Sequence, residues 1–322
     1  MTGSARLGDL FAGPAASSWE DLGCYTGLAG AERIVGDKRR AAYIANYNQM
    51  DVNYRGGVEF QLRRNMVLLC PQTAQFLYQS FTPERMSYSG GPRRYLEDTA
   101  HRVVAPEGDA SEKVLALMRF CRDLYKPTKR LPSHRDYVYG GTEEELIQKG
   151  EWTCECLARL FVALCELVGV SGRVLYHAIG GHVTTEVFLG TWAYIDPRMG
   201  MYFVKANGDF ASAWELWNDP SIMATQDAQV RRDVSDLSTW QERQWSTLNV
   251  YFHPCEVNGF SNYSLADTHQ YDYTPTSAEQ ATVGGLWTIN REYRALIQEV
   301  FQFSRLGDGR QRMDGPEGGT GV

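Results

Sequence analysis

Apolar residues recur at helical intervals in the part of the chain that follows Asp109. Asp109 and Glu112 have the spacing of a capping box, and the apolar stripe continues to about Tyr125. This pattern predicts an amphipathic helix. A polar loop follows, and the acidic run 143–145 then predicts a second, short helix that ends at Gly150.

A longer apolar segment runs from Cys154 to Val168. Its apolar side chains cover well over half of a helix circumference, and Gly169 offers a left-handed stop directly after it. A helix that is apolar on most sides needs partners on most sides. The pattern therefore predicts a helix buried at the centre of the fold.

Three strands are predicted after this helix. Residues 174–179 form the first, and residues 183–189 and 192–195 flank Gly190-Thr191, which fits a two-residue hairpin turn. A helix followed by antiparallel strands indicates an α+β fold.

The flanking segments are less regular. Residues 58–62 alternate as in a strand, whereas residues 66–78 fit either a strand or a helix. Beyond Gly200 aromatic residues become frequent, and the chain is predicted to be helical to about Leu248 and irregular afterwards. A last helix is predicted over residues 288–303.

The composition is that of a globular protein, since 43% of the 322 residues are apolar and 22% are charged. The formal charge is −7, from 32 basic and 39 acidic side chains, so nucleic acid is not expected as a partner. No apolar run approaches membrane-spanning length, and residues 1–18 lack the apolar centre of a signal peptide. Seven cysteines, an odd number, favour reduced thiols and a cytoplasmic location.

Candidate chemistry lies between Trp152 and Pro197. Cys154 opens the predicted buried helix, His182 follows 28 residues later, and Asp196 lies 14 residues beyond His182. These residue types are a nucleophile, a base and an orienting carboxylate in chain order. The N-terminus of a helix favours a thiolate over a thiol, and a neighbouring imidazolium favours it further.

Three alternatives stand beside this assignment on these residues alone. Cys156 lies about 200° around the helix from Cys154, so both thiols cannot face one pocket, and the geometry does not choose between them. His177 is likewise a rival to His182 as the base. The Cys-x-Cys pair with the two histidines also suggests zinc, but it lacks the spacing of the common structural zinc sites.

The same residues form an ordered set of motifs that resembles the core of the transglutaminase-like superfamily over roughly residues 95–200. The motifs are Cys154-x-x-x-Ala158-x-x-Phe161-x-x-Leu164, then Gly169-Val170-x-x-Arg173-Val174, then His182-x-x-x-Glu186-Val187-x-x-Gly190-x-Trp192-x-x-x-Asp196-Pro197. Two positions depart from the family pattern. The family commonly has a tryptophan where this chain has Thr184, and Trp152 replaces its glycine two residues before the cysteine.

The resemblance implies a papain-like cysteine-enzyme core with Cys154 as nucleophile, His182 as base and Asp196 as the residue that orients the base. It also selects Cys154 over Cys156. Trp152 and the two residues that share a strand face with His182, Thr184 and Glu186, are expected to line the substrate pocket.

On this basis we divide the chain into four segments. Residues 1–94 are a lead-in segment packed on the core, 95–205 the transglutaminase-like catalytic core, 206–304 an aromatic-rich extension that completes the domain, and 305–322 a mobile glycine-rich tail.

The expected activity is acyl transfer through a thioester on an amide or related carbonyl, more in keeping with hydrolysis than with cross-linking. The expected partner is a peptide, protein or other amide-containing substrate, and no cofactor or metal is implied, because the chain has no calcium-loop motif. The alternative is a catalytically silent module that uses the same fold to bind a peptide or glycan through its aromatic residues. The sequence does not indicate the oligomeric state.

Overall fold

The computed structural model describes residues 66–80, 88, 90–125, 142–150, 153–177, 181–235, 239–253 and 256–265. Within these ranges, a six-stranded antiparallel sheet with strand order β1-β6-β2-β3-β4-β5 forms the centre, and helices pack against it. The predicted α+β fold is confirmed.

The strands are β1 (Val67–Leu68), β2 (Gly172–His177), β3 (His182–Phe188), β4 (Trp192–Asp196), β5 (Met201–Tyr202) and β6 (Asn258–Ser261). The helices are α1 (Pro71–Ala74), α2 (Arg94–Val103), α3 (Ala110–Asp123), α4 (Glu143–Lys149), α5 (Cys154–Leu167), α6 (Ala213–Asn218), α7 (Ala228–Asp233) and α8 (Trp240–Ser246). Two π-helical turns, Gln75–Ser80 and Thr247–Tyr251, extend α1 and α8, and a 3₁₀ turn spans Pro220–Ala224.

Helices α3 and α4 begin where the sequence predicts. The Asp109 side chain accepts from the Glu112 backbone N–H at 2.9 Å, and the Glu112 carboxylate accepts in return from the Asp109 backbone N–H at 3.0 Å. Thr142 and Glu145 form the same reciprocal pair at the start of α4. These caps satisfy backbone donors that the first turn of a helix leaves without partners.

Helix α5 is buried along most of its length, as its apolar pattern predicts. It packs against β2 and β3 on one side and against α2, α3 and α4 on others. Gly169 follows the helix with φ +81°, a conformation that favours glycine, and so turns the chain back toward the sheet.

Strand β2 runs back along α5, and this places the candidate residues. Gly172, at the start of β2, lies against Val162 in the second half of α5. The strand then runs towards the N-terminus of the helix and ends at His177, which pairs with His182 across the β2–β3 hairpin. The end of the sheet that carries both histidines is therefore the end where α5 begins.

The largest difference from the sequence prediction lies beyond Leu248, where an irregular chain was expected. Residues 258–261 form β6, which inserts between β1 and β2 and joins β1 to the rest of the sheet. A four-residue strand that begins with asparagine and glycine has little β-propensity of its own, so its pairing comes from tertiary contacts. Strand β2 also starts and ends two residues earlier than predicted.

Segment 66–78, which the pattern left open, contains both a strand and a helix. The predicted strand at 58–62, the predicted helix at 288–303 and the tail 305–322 lie outside the described residues. The four-segment division stays a prediction. Within the described ranges, the helices all fall short of the length and apolarity that a membrane span requires.

Candidate active site

Cys154 is the first residue of α5, and it is partly exposed. The preceding N-cap residue, Thr153, makes no side-chain capping bond, unlike the caps of α3 and α4, so the cap side chain does not occupy the N–H groups of this helix terminus. In this conformation the Cys154 Sγ lies 3.5 Å from Glu155 Oε2. The thiol is thus at a helix terminus with backbone donors close by.

Cys156 differs from Cys154 in its surroundings. Its side chain is 1% exposed, and its Sγ lies 3.7 Å from the Arg159 Nη2 inside the protein. A buried thiol cannot meet a substrate without a rearrangement of α5. The structure therefore separates two thiols that periodicity alone left equivalent.

His182 and Asp196 come together at the end of β3 and β4. The distance between His182 Nε2 and Asp196 Oδ2 is 2.7 Å, and both side chains are buried. The other ring nitrogen of His182, Nδ1, is also buried and makes no hydrogen bond in the described structure. Because the carboxylate accepts from Nε2–H, Nδ1 is the nitrogen with a lone pair available to take a proton.

Asp196 is held by the turn that follows β4. Its Oδ1 accepts from the backbone N–H groups of Arg198 and Met199, at 3.1 and 2.9 Å. Burial by itself would raise the pKa of Asp196, but the His182 ring and the Met199 N–H outweigh it and keep this pKa below its ordinary value. The carboxylate therefore stays charged beside His182.

Gly200 closes the same turn and cannot be replaced without distortion. Its φ is +67°, and a Cβ added there would lie 2.1 Å from the carbonyl oxygen of Asp233. The turn that positions Asp196 is thus packed directly on the C-terminal end of α7.

His177, the rival base, has no nitrogen available for catalysis. Its Nδ1 donates to the Tyr251 carbonyl at 3.2 Å and to Asn258 Oδ1 at 2.6 Å, while its Nε2 accepts from the Thr184 hydroxyl at 3.1 Å. Burial, followed by repulsion from His182, lowers the pKa of His177 to about 3. His177 is a neutral structural residue behind His182.

The family model of the Transglutaminase-like superfamily matches residues 97–197, which include Cys154, His182 and Asp196. Over this segment the chain is similar to the superfamily. This superfamily includes cysteine-dependent enzymes. No curated protein and no solved structure matches the chain.

Residues outside the matched segment complete the surroundings of His182 and His177. The Tyr251 ring stacks on His182 with centroids 4.6 Å apart, and Asn258 on β6 holds His177. The sequence pattern predicts no role for Tyr251 or for Asn258. No local pattern marks either residue, because each meets its partner across about 70 residues or more of chain.

Thr184 and Glu186 are predicted from the sequence to line the substrate pocket, but their side chains point into the protein interior. Both side chains are fully buried. Thr184 donates to His177, and the Glu186 carboxylate pairs with Arg173 while accepting from the Tyr78 hydroxyl and the Ala213 N–H. They face the interior because rings and Arg173 cover their side of the sheet. Trp152 lies outside the described residues.

Across the described ranges, His, Cys, Asp and Glu side chains form no group of three that could hold a metal ion. A thiol at a helix terminus and an imidazole held by a carboxylate are groups from which a nucleophilic thiolate can form.

Proposed function

We propose that the protein is a cysteine-dependent acyl-transfer enzyme in which Cys154 attacks an amide or related carbonyl. One observation carries the proposal: Asp196 binds His182 through Nε2, which leaves the buried Nδ1 without a partner at the end of the sheet where α5 presents Cys154. Leaving a buried polar atom unsatisfied costs stability, so a site that retains one is a candidate for chemistry.

In the proposed mechanism the Cys154 thiol gives its proton to His182 Nδ1, and the thiolate attacks the carbonyl carbon. The carbonyl π electrons move to oxygen, and backbone N–H groups at the start of α5 stabilise the resulting oxyanion. When the oxyanion collapses, the C–N bond breaks, and the imidazolium protonates the departing amine. The product on the enzyme is a thioester at Cys154.

We propose water as the acyl acceptor, which makes the enzyme a peptidase, amidase or deamidase. Water attacks the thioester, His182 takes a proton from it, and Cys154 leaves with its electron pair. Hydrolysis requires one organic substrate, whereas cross-linking requires a second binding site for an amine. Parallel assays of ammonia release and of labelled-amine incorporation with a glutamine-containing peptide distinguish the two acceptors.

The proposed location is the cytoplasm. Thiolate chemistry needs a reduced nucleophile, and no disulfide joins the described cysteines at positions 70, 121, 154, 156 and 165 to one another.

The rate of Cys154 alkylation by iodoacetamide tests the proposal without knowledge of the substrate. At about pH 6 a thiol activated by His182 should react ~100-fold faster than a free thiol, because a free thiol is almost entirely protonated there. Replacement His182→Gln should remove most of the difference. Tandem mass spectrometry of the peptide that contains both thiols assigns the modified site.

The matched control is Cys156→Ser, which removes the neighbouring buried thiol and should leave the alkylation rate at Cys154 within about twofold. If Cys154 reacts like a free thiol and the rate does not depend on His182, the chain is a silent module that binds a peptide or glycan.

A further inference from the structure

We propose that Tyr251, which lies outside the family match, is a positioning residue for His182. Its ring fixes the plane of the imidazole and stabilises the imidazolium form that accepts the Cys154 proton. This inference deepens the proposed function and rests on it.

The geometry is a cluster of three rings, His177, His182 and Tyr251. The Tyr251 ring lies nearly parallel to the His182 ring, with centroids 4.6 Å apart and planes at 28°. His177 lies 4.9 Å from Tyr251 and 6.2 Å from His182, with its plane 15° from that of His182. The Asp196 carboxylate fixes His182 at one edge, and Tyr251 covers a face.

A buried imidazolium needs this support. His182 is 2% exposed, so water cannot solvate the positive charge that forms when Nδ1 takes a proton. Asp196 provides a negative charge at Nε2. The π face of an aromatic ring attracts a cation, and this attraction is strongest where water is excluded.

The position of Tyr251 is itself fixed by the neighbouring elements. Its carbonyl accepts from His177 Nδ1, and the same nitrogen is bound by Asn258 on β6. Tyr251 ends a π-helical turn, an uncommon conformation that occurs often at functional sites. The C-terminal strand and the π-helical turn together hold the ring over His182.

Other groups near His182 also influence its charge. Among the described residues, Asp196 on β4 and His177 on β2 interact with the charge of His182, and Arg198, in the turn after β4, interacts with Asp196. His177 stays neutral and so adds no positive charge beside the imidazolium. The Tyr251 side chain can be replaced without a change in any of these groups, so its effect can be measured separately.

The first test follows the His182 ring by NMR titration of protein labelled at histidine, with the signal assigned from His182→Gln. In Tyr251→Leu the midpoint of the titration should fall by about one pH unit, because the charged form loses the π face. In Tyr251→Phe it should stay within a few tenths of a unit. The matched control is Phe252→Leu, which removes an adjacent buried ring that contacts His177 and Tyr194 and should leave the midpoint unchanged.

Fluorinated phenylalanine at position 251 keeps the inference testable even where Tyr251→Leu does not fold. Fluorine withdraws electron density from the ring face and leaves its shape nearly unchanged. The His182 midpoint should fall progressively with the number of fluorines. A midpoint that stays constant across this series overturns the inference.

Alkylation of Cys154 by iodoacetamide separates this inference from the proposed function. Tyr251→Leu should slow the reaction at about pH 6 by roughly tenfold, and Phe252→Leu should not. If wild-type Cys154 is activated by His182 but Tyr251→Leu reacts equally fast and titrates equally, the inference is wrong and the proposed function stands. If wild-type Cys154 is not activated, the proposed function fails. A fall of the His182 midpoint in Tyr251→Leu would then support only the role of Tyr251 in stabilising the imidazolium.

Discussion

Two buried polar pairs lie on the same face of the sheet, one near each end of β3. At the far end Glu186 binds the Arg173 guanidinium through Nε and Nη2, at 2.9 and 2.5 Å. The guanidinium is stacked between Trp192 and Phe260, whose ring centroids lie 3.8 and 4.0 Å away. At the near end Asp196 binds His182, and His182 Nδ1 has no hydrogen bond.

The difference between the pairs is whether their polar atoms are satisfied. Glu186 accepts from Arg173, Tyr78 and the Ala213 N–H, so it has no capacity left for a ligand. The His182–Asp196 pair keeps one buried nitrogen open. A satisfied buried pair fits a structural role, whereas the open nitrogen of the second pair is the basis of the proposed chemistry.

The largest expected effect is that of Cys154→Ala. Because no other described thiol is placed to replace it, hydrolysis of a glutamine-containing peptide should fall by at least roughly 10⁴-fold, while the unfolding midpoint in urea stays close to that of the wild type. Activity comparable to that of the wild type in Cys154→Ala would place the chemistry elsewhere. The control, Cys156→Ser, keeps the nucleophile.

The next effect is on stability, at the satisfied pair. Glu186→Gln leaves the Arg173 charge buried without its partner and should lower the free energy of unfolding by about 3 to 5 kcal/mol in a urea titration. The double variant Arg173→Met with Glu186→Leu should recover much of this loss, since it buries no charge. If both variants lose the same free energy of unfolding, packing and not the ion pair dominates the stability of this site.

Asp196→Asn should separate two effects of Asp196, its influence on His182 and its contribution to the stability of the fold. The neutral amide holds His182 without a charge, so alkylation of Cys154 at about pH 6 should slow by on the order of 10- to 100-fold. The folded-state pKa of Asp196 is lowered, so its stabilising charge is present above its unfolded pKa and is lost as pH falls through the lower folded value. Unfolding measured at neutral pH and in acid should show that the variant lacks this acid-sensitive contribution.

His177→Gln should have the smallest effect, and it depends on pH. The folded-state pKa of about 3 lies below the unfolded value, so the neutral ring contributes stability at pH above about 6.5 that is lost as pH falls towards 3. From neutral pH to about pH 5 the wild type should lose on the order of 2 kcal/mol through this group. In urea unfolding across that range, the free energy of unfolding of the variant should depend less on pH than that of the wild type. An equally steep dependence would assign the acid sensitivity to other groups.

The sequence was sufficient for the elements that local pattern encodes. Helix α5, its glycine stop and the β3–β4 hairpin follow from apolar periodicity and turn residues, and the spacing of Cys154, His182 and Asp196 matched a known motif order. The period-two rule also placed Thr184 and Glu186 on the face of His182. It could not show that this face is interior, because the covering rings come from distant segments.

Long-range contacts account for what the sequence could not predict. Asn258 and Tyr251 reach the histidines from a region without regular periodicity, and β6 forms only because β1 and β2 offer it partners. Likewise, the choice between His177 and His182 depended on which nitrogen atoms already had hydrogen bonds. Such information exists only in the folded arrangement.

The thiolate absorbance of Cys154 tests the central claim most directly. The difference in ultraviolet absorbance between the wild type and Cys154→Ser, followed against pH, reports the thiolate of this residue alone. The account predicts that the thiolate is present at about pH 6 and disappears there in His182→Gln, because its proton resides on His182 Nδ1. A thiolate that forms only near the pH of a free thiol, with or without His182, would contradict it.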